Sequence, residues 1–132
     1  TYNCRKGGNF VNNPLAWTVI HGHLTELGIK YDPSHARYAG GNYLQETRDW
    51  GHRFRHVHLK GSMLVNGERV DDPPAGLDDT NWPVFLSLLR AKGYDRGLSI
   101  EPHSPVWTGA LGEQGLKYTV SYMNKLLFRQ EV

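Results

Sequence analysis

Helix-like and strand-like patterns alternate along the chain. Apolar residues three or four positions apart, together with capping signals, predict helices over 14–27, 42–50, 81–92 and 113–128. Short apolar runs predict strands over 29–32, 54–59 and 97–101, and residues 1–4 resemble the tail of an earlier strand. Strands this short that alternate with helices favour parallel βαβ units, and therefore an α/β fold.

The same spacing predicts which side chains face the core. The apolar stripe of the first helix comprises Leu15, Val19, Ile20, Leu24 and Leu27, and that of the last comprises Leu116, Val120, Met123 and Leu127. We expect Trp17, Trp50 and Trp82 in the core, and His21 and His23 on the surface. Residues 61–79 contain the turn signal Asn66-Gly67 and are predicted to form a long solvated loop.

Composition narrows the class of protein. The 132 residues suit a single domain over 1–132, and 39% hydrophobic residues are enough for a packed core. A net charge of +2 gives no reason to expect nucleic acid or a membrane as partner. Because no apolar run approaches about 18 residues and the single cysteine excludes an internal disulfide, we expect a cytoplasmic protein.

Polar runs follow the predicted strands at their carboxyl ends. They are Asp32-Pro33-Ser34-His35, His56-Val57-His58-Leu59-Lys60 and Glu101-Pro102-His103. Each has a simpler explanation: Asp before Pro caps helices or turns, histidine pairs are often hydrogen-bonded, and Arg or Lys can neutralise a strand-end Glu. Carboxylates and imidazoles that recur at the mouth of successive βα units nevertheless favour a shared divalent metal.

These runs carry a family resemblance. Together with Trp82-Pro83-x-Phe85 and Leu98-Ser99-Ile100-Glu101, they resemble the sugar phosphate isomerase/epimerase family, which has the xylose-isomerase-like (β/α) TIM barrel. A complete barrel needs about 250 residues. The chain therefore matches about four βα units, equivalent to the C-terminal half of a (β/α)8 barrel.

The resemblance implies a site and a reaction. One divalent metal (Mn, Mg, Zn or Co) would be held by Asp32, His58 and Glu101. Glu101 would also act as acid or base, with Lys60 beside it as a second catalytic residue. The sugar substrate would contact Lys60 and the histidines His35, His56 and His103. Isomerisation or epimerisation would proceed by proton transfer through a metal-stabilised enediolate.

The chain departs from the family at its start. Family members carry Glu-Asn on the fifth strand, whereas Tyr2 here precedes Asn3. A phenol is a poor substitute for a carboxylate toward Mg²⁺ or Mn²⁺. Two alternatives therefore stay open. The chain could be an inactive half-barrel that self-associates as a dimer to cover its open edges, or, less favoured, a metal-dependent phosphodiesterase like the apurinic endonucleases that share the barrel.

Overall fold

The structure, a computed structural model, describes residues 1–6 and 10–129. From the sequence we expect a Gly- and Asn-rich loop over 5–13, and part of it lies outside the described residues. The helices are α1 (Pro14–His23), α2 (Pro33–Tyr38), α3 (Tyr43–Trp50), α4 (Trp82–Ala91) and α5 (Gly109–Leu126), and Gly51–Arg53 forms a 3₁₀ turn. The strands are β1 (Ile29–Tyr31), β2 (Phe54–Leu59), β3 (Met63–Val65), β4 (Glu68–Asp71) and β5 (Leu98–Ile100).

The main sheet is parallel and confirms the predicted α/β architecture. Its strand order is β1-β2-β5, and Tyr2 adds a parallel bridge to Lys30 at the β1 edge. Each strand is joined to the next through at least one helix, as in a (β/α) barrel. The chain therefore forms part of a barrel, with its strand ends aligned at one rim.

The core lies between the sheet and the helices. Trp17, Tyr31, Trp82 and Phe85 are fully buried there, and Trp50 packs against this cluster while partly exposed, which confirms the predicted core tryptophans. The Tyr31 ring stacks on Phe54 with centroids 4.3 Å apart. Phe54 is buried in this layer, and β2 shifts register against β1 between Ile29 and Lys30, next to it.

The outer helices expose much of their predicted apolar stripes. In α1, Leu15 is 84% exposed, whereas Trp17 and His21, four residues apart, are buried. The expected surface position of His21 is therefore wrong. The reason is that the Trp17 and His21 face of α1 packs inward, and the His21 ring nitrogens lie 2.8 Å from Thr1 Oγ1 and 3.0 Å from the Leu27 carbonyl oxygen. In α5, Leu116 and Val120 are also exposed, and Met123 is buried.

Two short features were missing from the sequence-based expectation. Helix α2 follows β1 directly, with Asp32 as its N-cap and Pro33 in its first turn. The segment expected as a solvated loop contains the antiparallel hairpin β3-β4, and Asp72 beyond it is only 4% exposed. Helix α5 also begins at Gly109, four residues before its expected start. Among residues 1–6 and 10–129, no helix has the length and apolar character that a membrane span requires.

Candidate metal centre

Three strand ends bring a carboxylate, an imidazole and a second carboxylate together. Asp32 follows β1, His58 lies near the end of β2, and Glu101 follows β5. The register pairs His58 with Ser99 and Leu59 with Ile100, so the three residues reach the same rim. One ligand atom from each of Asp32, His58 and Glu101 lies within 4.8 Å of the others. The structure thus brings together the three residues that the resemblance assigned to the metal.

The contacts within this group are specific. His58 Nδ1 lies 2.9 Å from Glu101 Oε2 and 3.9 Å from Asp32 Oδ2. The Lys60 ammonium, 4% exposed, lies 3.1 Å from Asp32 Oδ2 and 3.6 Å from Glu101 Oε2. A buried lysine is therefore balanced by two carboxylates, as burial of a charge requires.

Asp32 is held by its backbone and by one of its two carboxylate oxygens. The Asn3 side chain accepts a hydrogen bond from the Asp32 N–H and donates one to its carbonyl, both at 2.8 Å. Oδ1 accepts a hydrogen bond from the Ser34 N–H at 2.9 Å. Oδ2 is buried without a hydrogen bond of suitable geometry, although the Lys60 ammonium is close. Asn3 therefore fixes the Asp32 backbone and the Ser34 N–H holds one carboxylate oxygen, while the other oxygen stays available.

The residues present fit a divalent metal. Two ligands that bind one ion at about 2.1 Å can be at most about 4.2 Å apart. The distance of 3.9 Å from His58 Nδ1 to Asp32 Oδ2 satisfies this limit, and Glu101 lies closer still to His58. The buried Asp32 Oδ2, without a hydrogen bond, supplies the accepting atom that a cation would satisfy. Nitrogen and oxygen donors of this kind suit Zn²⁺, Mn²⁺ or Co²⁺, and the two carboxylates also suit Mg²⁺.

Glu101 has the electrostatics of a proton acceptor that stays ionised. Burial on its own would raise the pKa of the Glu101 carboxyl, but the nearby His58 and Lys60, and the hydrogen bond from His58, together lower it below its usual value. His103 Nε2 lies 3.5 Å from the other carboxylate oxygen, Oε1. The ionised form of Glu101 is therefore favoured near neutral pH.

Tyr2 lies inside the site where the family carries a carboxylate. Its hydroxyl is 3.1 Å from His35 Nε2, and its ring meets the His58 ring edge-on at 5.7 Å. Burial, and then the charges of Asp32 and Glu101, raise the pKa of the Tyr2 phenol. Lys60 Nζ is also 3.4 Å from His35 Nε2, and because an ammonium only donates, that nitrogen accepts. Tyr2 is therefore a neutral hydrogen-bond donor.

The histidines predicted to contact substrate occupy two different places. His35 and His103, together with Lys60, line a cavity of about 520 Å³ beside the cluster. The His56 ring instead stands perpendicular to His58 at 5.4 Å, and His56 is not among the residues that line the cavity in the described part of the chain. The substrate roles of these residues stay predictions.

Sequence reasoning gave Tyr38 and Arg5 no place around this cavity, and it favoured a solvated loop for Arg69 and Asp72. Tyr38 donates to the Asp72 carboxylate, which also pairs with Arg69, and Arg5 donates to the Ala39 carbonyl at 3.3 Å. Tyr38 lies three residues after His35, one helical turn along α2, and that spacing was an available signal. The contacts that bring Arg69 and Arg5 to the same cavity connect distant parts of the chain, and no local pattern reports them.

Comparisons with known proteins agree with this geometry. The family model described as xylose isomerase-like TIM barrel matches residues 4–126. Among curated proteins, the chain is similar to the uncharacterized protein YfiH of Bacillus subtilis (strain 168). They share 27% identity over 119 residues, which covers 72% of this chain and 38% of that protein.

Solved structures show the same fold. The crystal structure of a xylose isomerase domain protein from Planctomyces limnophilus matches with a TM-score of 0.61 and 22% identity, over 76% of this chain and 35% of that one. A D-tagatose 3-epimerase-like protein matches with a TM-score of 0.55 and 22% identity, over 76% of this chain and 36% of that one. The chain thus spans well under half the length of these relatives. Because the family match extends over nearly all of it, the chain belongs to the xylose isomerase-like TIM barrel family and forms part of such a barrel.

Proposed function

We propose that this chain carries the metal-binding part of a sugar isomerase or epimerase active site. The observation that carries the proposal is that His58 and Glu101 each place a ligand atom within 4.8 Å of the Asp32 carboxylate. One oxygen of that carboxylate is buried without a hydrogen bond. The cavity beside them falls within the range of about 300–1,000 Å³ that is usual for small-molecule sites. The similarity to a D-tagatose 3-epimerase-like protein and to a xylose isomerase domain protein supports this reaction class.

Each residue has a chemical role in the proposal. A bound divalent metal would supply Lewis-acid polarisation of a sugar carbonyl and its neighbouring hydroxyl. Glu101 removes the proton from the carbon next to the carbonyl and returns a proton to the same face of that carbon. The Lys60 ammonium donates hydrogen bonds to the oxygen atoms on which negative charge develops, while the Tyr2 hydroxyl donates to His35 and holds its ring in place. His35 and His103 orient the hydroxyl groups of the substrate.

The substitution of Tyr2 for a carboxylate limits what this chain does by itself. The family reaction uses a second carboxylate base, and a neutral phenol does not remove a proton from carbon near pH 7. A single base, Glu101, still supports exchange of a substrate proton with solvent. Proton exchange is therefore the partial reaction that the described residues can perform.

That partial reaction gives the experiment. The chain is incubated with Mn²⁺ in D₂O and with a panel of aldoses and ketoses, and deuterium beside the carbonyl is read by NMR. We expect metal-dependent exchange that Glu101→Gln abolishes. The exposed control Glu113→Gln on α5 should leave exchange intact. Exchange that proceeds equally without metal, or that survives Glu101→Gln, would contradict the roles assigned to the metal and to Glu101. If no sugar exchanges its proton, the proposal that this chain is active is refuted.

A second candidate function rests on the exposed apolar side chains of the outer helices. Leu15 and Val19 of α1 are 84% and 57% exposed, and Leu116 and Val120 of α5 are 42% and 43% exposed. Helix α1 precedes β1 and helix α5 follows β5, the two outer strands of the sheet, so two copies could cover one another's exposed helices. We propose that the chain self-associates in this way, whether or not it is active.

Light scattering tests the association. We expect the mass of a dimer for the unmodified chain and the mass of a monomer for Leu15→Lys combined with Val120→Lys. The control is Val65→Lys in β3, at a side chain 55% exposed that belongs to neither helix. A monomeric unmodified chain, or a dimer that persists in the double variant, would rule out these flanks as the interface.

A further inference from the structure

The cavity beside the metal cluster has two walls of different character. Its near wall is formed by the cluster's own neighbours, Lys60, His35 and His103. Its far wall carries Arg5, Lys6 and Arg69, which the proposed reaction does not use. A ligand that places its carbonyl at the cluster would extend its other end toward these cations.

The far wall has an excess of positive charge. Asp72 is the only carboxylate among the described residues that line the cavity, and it is nearly buried at 4% exposure. Both of its oxygens are already used, since Tyr38 donates to Oδ1 and Arg69 to Oδ2. Asp72 therefore neutralises Arg69 in part, and the Glu46 carboxyl, outside the cavity lining, interacts with the charge of Arg5. The charge of Lys6 has no carboxylate partner among the residues that the structure describes.

The cations are presented in an ordered way. The Arg69 guanidinium stacks over the Tyr38 ring at 4.9 Å, in addition to its pairing with Asp72. Arg5 is anchored on the Ala39 carbonyl at the end of α2. Lys6 has no ion-pair partner within residues 1–6 and 10–129. A guanidinium that uses one edge for a carboxylate and one face for an aromatic ring keeps N–H donors for a further anion.

We propose that this far wall binds an anionic group, a phosphate or a carboxylate, at the end of the substrate remote from the carbonyl. This inference rests on the proposed function, because the carbonyl end is placed by the metal cluster. A cavity walled by cations concentrates anions and strengthens charge-assisted hydrogen bonds to their oxygen atoms. A neutral sugar would desolvate Arg5 and Lys6 without pairing their charges, so anionic sugars are preferred.

Three matched sugars test the proposal on the metal-free chain. Glucose, glucose 6-phosphate and glucuronate share a ring and differ in the charge of the group at carbon 6. Calorimetric titration in EDTA should give at least ten-fold tighter binding for one or both anionic sugars than for glucose. Their order identifies phosphate or carboxylate as the preferred group. Binding should also weaken as salt rises. Equal binding of all three sugars would overturn the proposal.

Variants locate the anion. Lys6→Gln and Arg69→Gln should each weaken binding of the preferred anionic sugar about ten-fold, the loss expected for one charge-assisted contact. Lys117→Gln, at an exposed lysine on α5, should leave it unchanged. Arg69→Gln also removes a partner of Asp72, so Lys6→Gln, which breaks no ion pair among residues 1–6 and 10–129, is the decisive variant. Unchanged binding in Lys6→Gln, with the fold intact by circular dichroism, would refute this location.

Metal binding separates failure of this inference from failure of the proposed function. Lys6→Gln should bind Mn²⁺ as the unmodified chain does, because the metal cluster consists of Asp32, His58 and Glu101 and does not include Lys6. Anion binding that persists in a chain unable to bind metal would refute the proposed function and keep the basic subsite. Metal binding without preference for anionic sugars would keep the proposed function and refute the basic subsite.

Discussion

Replacing Lys60 by Met should destabilise the metal-free protein and strengthen its response to metal. Lys60 is 4% exposed and lies 3.1 Å from the fully buried Asp32 carboxylate and 3.6 Å from Glu101. Lys60→Met keeps the length of the side chain and removes its charge. The change leaves Asp32 with one buried oxygen that has neither a hydrogen bond nor a countercharge.

The magnitude follows from the ion pair. At 3.1 Å the attraction between unit charges is about 5 kcal/mol for an effective dielectric constant of 20. Removing one partner of a buried pair costs about 3–5 kcal/mol. The loss cannot exceed the cost of protonating an ordinary aspartate at pH 7, about 4 kcal/mol. Since the Glu101 side chain is 33% exposed and solvent screens it, we expect a loss near the lower end, about 3 kcal/mol.

Urea denaturation measures this loss in the free energy of unfolding. In EDTA, Lys60→Met should unfold at a lower urea concentration, whereas Lys60→Arg, which keeps the charge, should recover part of the loss. With Mn²⁺ added, Lys60→Met should gain more stability than the unmodified chain, since the cation no longer meets the ammonium. The control Lys117→Met, at an exposed lysine, should change the free energy by less than about 0.5 kcal/mol. Equal stability of Lys60→Met and the unmodified chain in EDTA would refute the reasoning.

Two further predictions concern packing and pH. A Cβ at Gly61 would clash with the Pro73 carbonyl oxygen, so Gly61→Ala should destabilise the fold by about 2 kcal/mol. A Cβ at Gly22 in α1 would meet nothing within 4 Å, so Gly22→Ala should stabilise the fold by about 0.5–1 kcal/mol. Thermal unfolding measures both changes. Burial is the largest cause that lowers the pKa of His21 below its ordinary 6.5. The hydrogen bond to the Leu27 carbonyl raises this pKa in part, and the charge of Arg53 lowers it further. The unfolded chain then binds the proton more tightly, so stability present above about pH 6.5 should fall as pH drops through the folded pKa; NMR titration that gave His21 a pKa of 6.5 or above would contradict this.

The strand-end residues could be predicted because their information is local. Position at the strand ends was enough to single out the three polar runs, and the family resemblance then assigned Asp32, His58 and Glu101 to the metal. The structure brings these three residues together. The hold of Asn3 on the Asp32 backbone could not be predicted from spacing, since it joins residues 29 positions apart.

The buried faces of the helices, in contrast, could not be predicted from local patterns. The stripe of α1 was predicted from periodicity, but only tertiary packing decides which face turns inward, and Trp17 and His21 occupy that face instead of Leu15 and Val19. Helix α2 has six residues, too few for a periodic signal, although its Asp-Pro start was present. Location in the cytoplasm and the absence of nucleic-acid partners stay predictions.

Binding of Mn²⁺ to the metal-stripped chain, followed by electron paramagnetic resonance, tests the central claim most directly. The account predicts one bound ion per chain. Asp32→Asn should weaken this binding by at least ten-fold, while Asp95→Asn, at an exposed aspartate, leaves it unchanged. No bound Mn²⁺ in the folded chain, or binding that Asp32→Asn does not alter, would contradict the assignment of a metal to Asp32, His58 and Glu101.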